Sequence, residues 1–190
     1  MAISFDNGIA RKQISMGGKG SFLTFMENPS QPADNPNRQW TEAYYDGKPD
    51  SWCPEIGVHW HKHHDEYHKV MQGKVTYIVN GESKVYTPED EELFVPRLTR
   101  HGFKFHPGIE TRVRERTTPV KVGKQDFFED LLEDGSPTFF TAMRSFYNGD
   151  CYPAFPGGFG SLEVVFVNVV GGFAHWWRPK KGEVSEKGRM

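Results

Sequence analysis

Four histidines and one glutamate lie within the eight-residue segment from His59 to Glu66, and this cluster restricts the possible folds more than any other feature. In an extended strand the rise is about 3.3 Å per residue and side chains alternate between the two faces. His59 and His61 therefore point to the same side, with Cβ atoms about 6–7 Å apart, which permits both to bind one metal ion. Glu66 can reach back from the next strand after a short turn, and His101 follows later in the chain. In a closed β-barrel these four side chains surround a single point, so the spacing predicts that they bind a metal ion together.

Segments of strand character recur at short intervals on both sides of this cluster. The predicted strands are residues 21–26, 39–45, 56–61, 66–72, 74–80, 84–86, 92–95, 102–106 and 111–117. Turn-forming residues separate several of them, namely Gly73, Asn80-Gly81, Pro88 and Pro107-Gly108. Many short strands at regular spacing are typical of a sandwich or a barrel rather than of alternating β/α units. We therefore expect a mainly β fold.

The histidine cluster resembles the first motif of the cupin superfamily, G-x5-H-x-H-x(3,4)-E-x6-G. The residues that match this motif are His59, His61, Glu66 and Gly73. Cys53 occupies the position of its leading glycine. The second motif, G-x5-P-x-G-x2-H-x3-N, is matched at Pro96 and His101. Its remaining positions hold Asp90, Leu98 and Phe105. The resemblance covers residues 20–117, and Asp90 offers a replacement turn in the segment 87–90.

The resemblance implies a single-domain, metal-binding cupin with an antiparallel barrel of the double-stranded β-helix, or jelly-roll, type. It also implies that His59, His61, Glu66 and His101 are the metal ligands. Three neutral imidazoles and one carboxylate around a divalent ion leave a single positive charge, and six-fold coordination leaves two adjacent positions open. This donor set suits several transition metals. We expect iron first, with Mn, Ni, Co or Zn as alternatives, and a metal-free pocket lined by the same histidines is the competing interpretation.

Further residues on the predicted inward faces suggest catalytic and substrate-binding roles. His68 follows Glu66 by two residues and shares its face, and we expect these two residues to move protons during catalysis. A pocket histidine without catalytic duty is the alternative for His68. Phe103 and Phe105 share the face of His101 and are expected to wall a substrate cavity, because aromatic linings favour flat organic ligands.

Two groups of basic residues leave alternatives open. Arg112, Arg114 and Arg116 share one face of their strand. Inside the barrel they would clamp a substrate carboxylate or phenolate, with Arg114 as the predicted substrate ligand. Outside they would form a solvated ladder, which avoids the desolvation of three guanidinium groups. His63 and His64 fall on the turn after His61 and are expected to be solvated, although pairing of His61 with His63 is an alternative register.

The pattern changes from strand to helix after the last predicted strand. Residues 125–132 place apolar side chains at helical spacing, and Ser136 with Pro137 predicts the N-terminus of a second helix. Residues 162–173 are apolar and β-branched, and their position favours a helix packed on the barrel, although a strand has the same periodicity. The predicted domains are a barrel with an N-terminal arm (1–123), a helical extension (124–178) and a flexible tail (179–190).

Composition argues against several classes of partner. A formal net charge of −2 and a pI near 6.4 provide no attraction for nucleic acid or an anionic membrane. The sequence contains no apolar run of 18 residues, the length that would suggest a membrane span. The two cysteines, Cys53 and Cys151, are too far apart for a CxxC zinc or redox motif. Because the N-terminus lacks a secretory pattern, we expect a cytoplasmic protein that binds a small molecule, and single-barrel cupins imply a homodimer.

These features together predict a metal-dependent enzyme that acts on a small, oxygen-rich organic molecule such as a phenolic, polyketide-like or keto acid compound. The cupin resemblance implies first a dioxygenase-type oxidoreductase. A redox-neutral lyase or isomerase, such as a decarboxylase, dehydratase or cyclase, is the alternative, with the metal acting as a Lewis acid. A non-catalytic cupin that only binds its ligand is the second alternative.

The ligand set leads to a first testable prediction. Replacing His101 by alanine removes one of the four donors, so the variant is expected to lose metal when it is purified without chelator. Metal analysis of the wild type and His101→Ala measures this loss. An unchanged metal content would mean that His63 or His64 completes the site instead.

Overall fold

The computed structural model describes residues 8–120, 124–132 and 137–177. Within these ranges the strands form two antiparallel sheets. The six-stranded sheet has the order β1-β2-β3-β10-β5-β8, from strands Ile9–Ser15, Ser21–Glu27, Gln39–Tyr45, Thr111–Thr118, Asp65–Gln72 and Leu93–Val95. The five-stranded sheet has the order β11-β4-β9-β6-β7, from strands Tyr152–Pro153, Glu55–Trp60, His101–Phe105, Val75–Val79 and Glu82–Tyr86.

The two sheets face each other across an apolar core, and strand alternation explains which side chains enter it. Along β5, Glu66, His68 and Val70 are buried, whereas the intervening residues are partly exposed. The central core cluster consists of Tyr45, Val70, Val75, Tyr77, Phe103, Phe105 and Val113. Period-two burial on facing antiparallel sheets is the arrangement of a sandwich-like barrel. The predicted mainly β fold of antiparallel strands, with a C-terminal helical extension, is confirmed.

Leu98 and Asp90, which occupy positions where the compared motif has glycine, both belong to turns. Leu98 has a φ of 68°, in the left-handed region that favours glycine, and its N–H donates to the carbonyl of His61 at 2.7 Å. Asp90 accepts hydrogen bonds from the backbone and the hydroxyl of Thr87 at 2.9 and 3.1 Å, as expected for the replacement turn. Leu98 therefore joins its turn to His61 at the end of β4, and Asp90 closes the turn at 87–90.

The N-terminal strand is absent from the predicted strands. β1 pairs with β2 along its length, but its side chains are almost all exposed, so it has no alternating apolar pattern to reveal it. Backbone hydrogen bonds to β2 therefore hold the segment that the sequence presents only as an arm. The domain boundaries stay predictions, and the tail 179–190 lies outside the described residues.

The described part of the extension is mainly helical, as predicted, and its short strand β11 pairs with β4 of the barrel. Its helices are α1 (Lys124–Leu131), α2 (Phe139–Asn148), α3 (Gly160–Phe166) and α4 (Gly172–Trp177), with a π-helical stretch at Val167–Gly171 between the last two. The start of α2 differs from the prediction. Thr138 caps it by accepting from the N–H of Thr141 at 3.2 Å, and Ser136 lies outside the described residues. None of the helices in the described ranges is long and apolar enough to cross a membrane.

Buried ion pairs attach these helices to one another and to the barrel. Asp130 on α1 accepts from Arg144 and Ser145 on α2, at 2.5 and 2.7 Å. Glu163 on α3 is fully buried and accepts from the indole N–H of Trp60 at 2.7 Å. Glu163 also receives the guanidinium of Arg100 at 2.7 Å and the backbone N–H of Phe155 at 2.6 Å. Its carboxylate thus joins the extension to β4 and to the segment that precedes β9.

The stability that Glu163 provides is expected to depend on pH. Burial alone raises the pKa of Glu163, but hydrogen bonds from Phe155, Arg100 and Trp60 outweigh it and lower the pKa below 4.5. The carboxylate therefore stabilises the fold above its unfolded pKa, and this contribution is lost as the pH falls through the lower folded value.

Glu163→Gln removes the charge and retains the shape. We expect it to lower the free energy of unfolding by about 2 kcal/mol at pH 7, the scale of hydrogen bonds to charged groups. The loss relative to wild type should shrink towards pH 3, and urea titrations at both pH values measure it. The exposed Glu82→Gln serves as the matched control. A loss of equal size at both pH values would contradict the conclusion that the charge of Glu163 provides this stability.

Candidate metal centre

The four predicted ligands meet at one end of the barrel. His59 lies on β4 directly opposite His101 on β9, His61 follows the end of β4, and Glu66 lies on β5. One ligand atom from each of the four lies within 4.8 Å of the others. The two sheets thus bring together residues that are far apart in sequence, and metal binding by them stays a prediction.

Backbone carbonyls fix the orientation of the three imidazoles. The Nδ1–H groups of His59, His61 and His101 donate to the carbonyls of Gly57, Asp150 and Thr99, at 2.9, 2.7 and 3.0 Å. A carbonyl can only accept, so each ring carries its proton on Nδ1 and presents Nε2 to the centre. Imidazoles that bind metals are held in this way by their second nitrogen.

Glu66 is the charged centre of the cluster and is fully buried. Its Oε1 lies 3.1 Å from His61 Nε2, and its Oε2 lies 3.1 Å from His68 Nε2 and 2.9 Å from His101 Nε2. Burial alone raises the pKa of Glu66, but its interactions with His61, Lys124 and His101 outweigh burial and hold the pKa well below 4.5. Glu66 is therefore an anionic donor at neutral pH.

The donor set fits a divalent transition metal. Among the described residues, the Nε2 atom of His61 is buried without a hydrogen-bond partner, although Glu66 lies close to it. Three Nε2 atoms and a carboxylate that converge away from water require a positive charge between them. Protons on the rings or a metal ion supply that charge, and the Nδ1 contacts favour nitrogen lone pairs directed at an ion.

Sequence reasoning missed two charged residues beside the centre. Lys124, at the start of α1, places Nζ 2.5 Å from Glu66 Oε1 and 2.8 Å from Glu115 Oε1. Burial lowers the pKa of Lys124, but the two carboxylates outweigh it and raise the pKa above its usual value, so the amine stays charged. Glu115 shares the inward face of β10 with Val113, and this alternation was an available signal. Lys124 gave none, because only the folding back of α1 brings it to the barrel.

His64 corrects the prediction of a solvated turn. It is fully buried and its ring stacks on that of His61 with centroids 4.0 Å apart, whereas His63 is exposed as expected. His64 Nδ1 donates to Asp150 Oδ2 at 3.0 Å, and its Nε2 lies 3.5 Å from Glu66 Oε1. His61, His64 and Asp150 form a second group with metal-ligand spacing. The prediction failed because the partner, Asp150, comes from the extension.

The predicted substrate-binding residues separate into two groups. Phe103 and His68 line a cavity of about 290 Å³ beside the centre. Phe105 is absent from its lining and packs against Tyr45 in the core, which corrects its assignment as a cavity wall. Phe105 lies deeper along β9, where the facing sheet covers its ring.

Arg114 also differs from its predicted role, because it lies on the outer face of β10. Its guanidinium donates to Glu42 at 3.0 Å and lies 5.2 Å from the centroid of the Trp40 ring. Arg116 likewise pairs with Glu92 on that outer face. A cross-strand carboxylate and an aromatic ring compensate the buried charge. Arg114 therefore does not bind substrate in this cavity.

Asp150 positions the turn that carries two histidines. It has a φ of 56°, and its carboxylate accepts from the backbone N–H groups of Lys62 and His63 at 3.1 and 2.7 Å. Together with the bonds to His61 and His64, these contacts make Asp150 the support of the whole turn.

Asp150→Asn is expected to weaken metal binding by about tenfold, as is usual for residues that orient ligands. Asparagine tolerates the left-handed backbone, so the carbonyl that orients His61 should stay in place. Competition with a chromogenic chelator measures the affinity, and the exposed Asp50→Asn is the control. Equal metal affinities of Asp150→Asn and wild type would contradict the conclusion that the Asp150 carboxylate positions the turn.

Comparison with known proteins gives distant similarities. No family model matches the chain. Oxidoreductase iacF of Pestalotiopsis fici is 33% identical over 81 residues, so the chain spans about 40% of the length of this curated relative, and the match covers 40% of the chain. The structure of KdgF from Halomonas sp. has 18% identity and a TM-score of 0.44, and covers 57% of this chain and 86% of that one. An RmlC-like cupin from Shewanella frigidimarina has 19% identity and a TM-score of 0.39, and covers 55% of this chain and 80% of that one.

Proposed function

We propose that this chain is a metal-dependent enzyme that acts on a small, oxygen-rich organic molecule. The observation that carries the proposal is the convergence of three oriented Nε2 atoms and the buried Glu66 carboxylate at the wall of a cavity. His59, His61, Glu66 and His101 would hold one divalent ion. Iron is the first choice, and Mn, Ni, Co and Zn suit the same donors.

The metal would supply Lewis acidity to an enol, phenol or acid oxygen of the substrate and, if it is iron, redox chemistry with O₂. The protein would supply the apolar environment in which the substrate reacts. Phe103 and other apolar side chains line the cavity, and with a substrate bound they would exclude water and strengthen electrostatic interactions inside it.

His68 is suited to move a proton beside the centre. Its Nε2 lies 3.1 Å from the Glu66 carboxylate, which can only accept, so Nε2 carries the proton. The Nδ1 lone pair then has no hydrogen-bond partner among the described residues. A lone pair without a protein partner, on a ring that lines the cavity, is suited to accept a substrate proton.

Two reaction types use these groups. The first is a dioxygenase-type oxidation, in line with the partial similarity to an oxidoreductase. The second is a redox-neutral lyase or isomerase reaction, which the proton-transfer position of His68 favours.

The metal requirement is tested with Glu66→Gln. Loss of the anionic donor is expected to reduce metal retention at least tenfold, because the remaining donors are neutral. Elemental analysis after purification without chelator measures it, with Glu82→Gln as the control. Wild-type protein that stays free of metal after incubation with each of the five candidate ions would contradict the proposal.

Oxygen use separates the two reaction types. Phenols, enols and keto acids are offered to the metal-loaded enzyme in air and under argon, with an oxygen electrode and product analysis. Product that forms only with matching oxygen consumption identifies the oxygenase. An equal product yield under argon identifies the redox-neutral enzyme.

A further inference from the structure

The cavity beside the metal centre has a charged end and an apolar end. The charged end is lined by His59, His61, Glu66, His68, Glu115 and Lys124. The apolar end lies between the barrel and helices α1 and α2, and is lined by Leu23, Phe103, Phe127, Phe128, Leu131 and Phe146. A volume of about 290 Å³ is at the low end of the range for ligand pockets, which suits a molecule of one or two rings.

Lys124 stands at the boundary between the two ends. Its ammonium group has three N–H donors, and Glu66 and Glu115 engage two of them. Among the described residues this leaves one donor for a molecule in the cavity, and the side chain keeps 16% of its surface exposed. The rings of Phe127 and Phe128 lie 6.0 and 5.5 Å from Nζ, so an apolar surface begins beside the charge.

The charges at this end favour an anionic ligand. A divalent ion at the four ligands, the carboxylates of Glu66 and Glu115 and the ammonium of Lys124 would together carry one net positive charge. A net charge held away from water is unfavourable. A ligand with one negative charge neutralises this net charge, whereas a neutral ligand leaves it in place.

We propose that the cavity binds a monoanionic ring compound, a carboxylate, enolate or phenolate, with its acidic oxygen at Lys124 Nζ and its ring against Phe127 and Phe128. Lys124 then determines specificity for the anionic form of the substrate. This inference rests on the proposed function, because the charge balance includes the metal ion. It also means that Lys124, a residue of the extension, selects the substrate.

The test uses two probes of equal shape, 2-naphthoate and the neutral 2-naphthamide, with the metal-loaded protein. Isothermal titration calorimetry at pH 7.5 is expected to show at least tenfold tighter binding of the naphthoate to wild type. Lys124→Met should lose at least tenfold in naphthoate affinity while its naphthamide affinity stays unchanged, and Lys124→Arg should keep part of the preference. The exposed Lys84→Met is the matched control, and thermal melting of each variant verifies folding.

Equal affinities of wild type for the two probes, including no measurable binding of either, would overturn the inference. Undiminished naphthoate binding by Lys124→Met would overturn it as well. Should Lys124→Met fail to fold, Lys124→Gln replaces it, and the comparison of the two probes on wild type decides independently.

Metal content, measured on the same samples, separates this inference from the proposed function. Protein that binds no metal would refute the metal-dependent function, whatever its affinity for the two probes. Bound metal without any preference for the naphthoate would refute the anion site and leave the metal-dependent function in place.

Discussion

The charge of one carboxylate, that of Glu66, is the constraint on which the site depends. An ionised group removed from water is unfavourable unless partners surround it. The fold places His61, His68, His101 and Lys124 within 3.1 Å of its oxygens. These nitrogens come from β5, β9, α1 and the end of β4, so the compensation of a single charge holds four parts of the chain together. The same arrangement provides the donors that suit a metal.

The helical extension is part of the site as well as its cover. Asp150 orients His61 and His64, Lys124 reaches Glu66, and Glu163 attaches the helices to the barrel. Apart from the bond of His61 to the backbone carbonyl of Asp150, each contact is a hydrogen bond to a charged group, which is stronger than one between neutral groups. Docking of the extension and the geometry of the candidate metal centre are therefore coupled.

The sequence predicts whatever depends on local spacing. The alternation of a strand places His59 with His61 and Glu66 with His68, and turn residues separate the strands, so the barrel and the convergence of the four ligands were predictable. Interactions with distant residues were not. His64 is buried because Asp150 accepts from it, and the burial of Arg114 on the outer face of β10 depends on Glu42, which compensates its charge. Such partners have no signature in the pattern around either residue.

The position of Lys124 at the start of α1 has a consequence for chains that share the barrel motif. Two such chains could carry identical metal ligands and still differ by a full charge beside the ion, depending on the first residue of the following helix. The barrel would then determine which ion is held, and the extension would determine which acids or neutral molecules compete for it. Divergence in substrate choice could proceed in the extension while the histidines stayed the same.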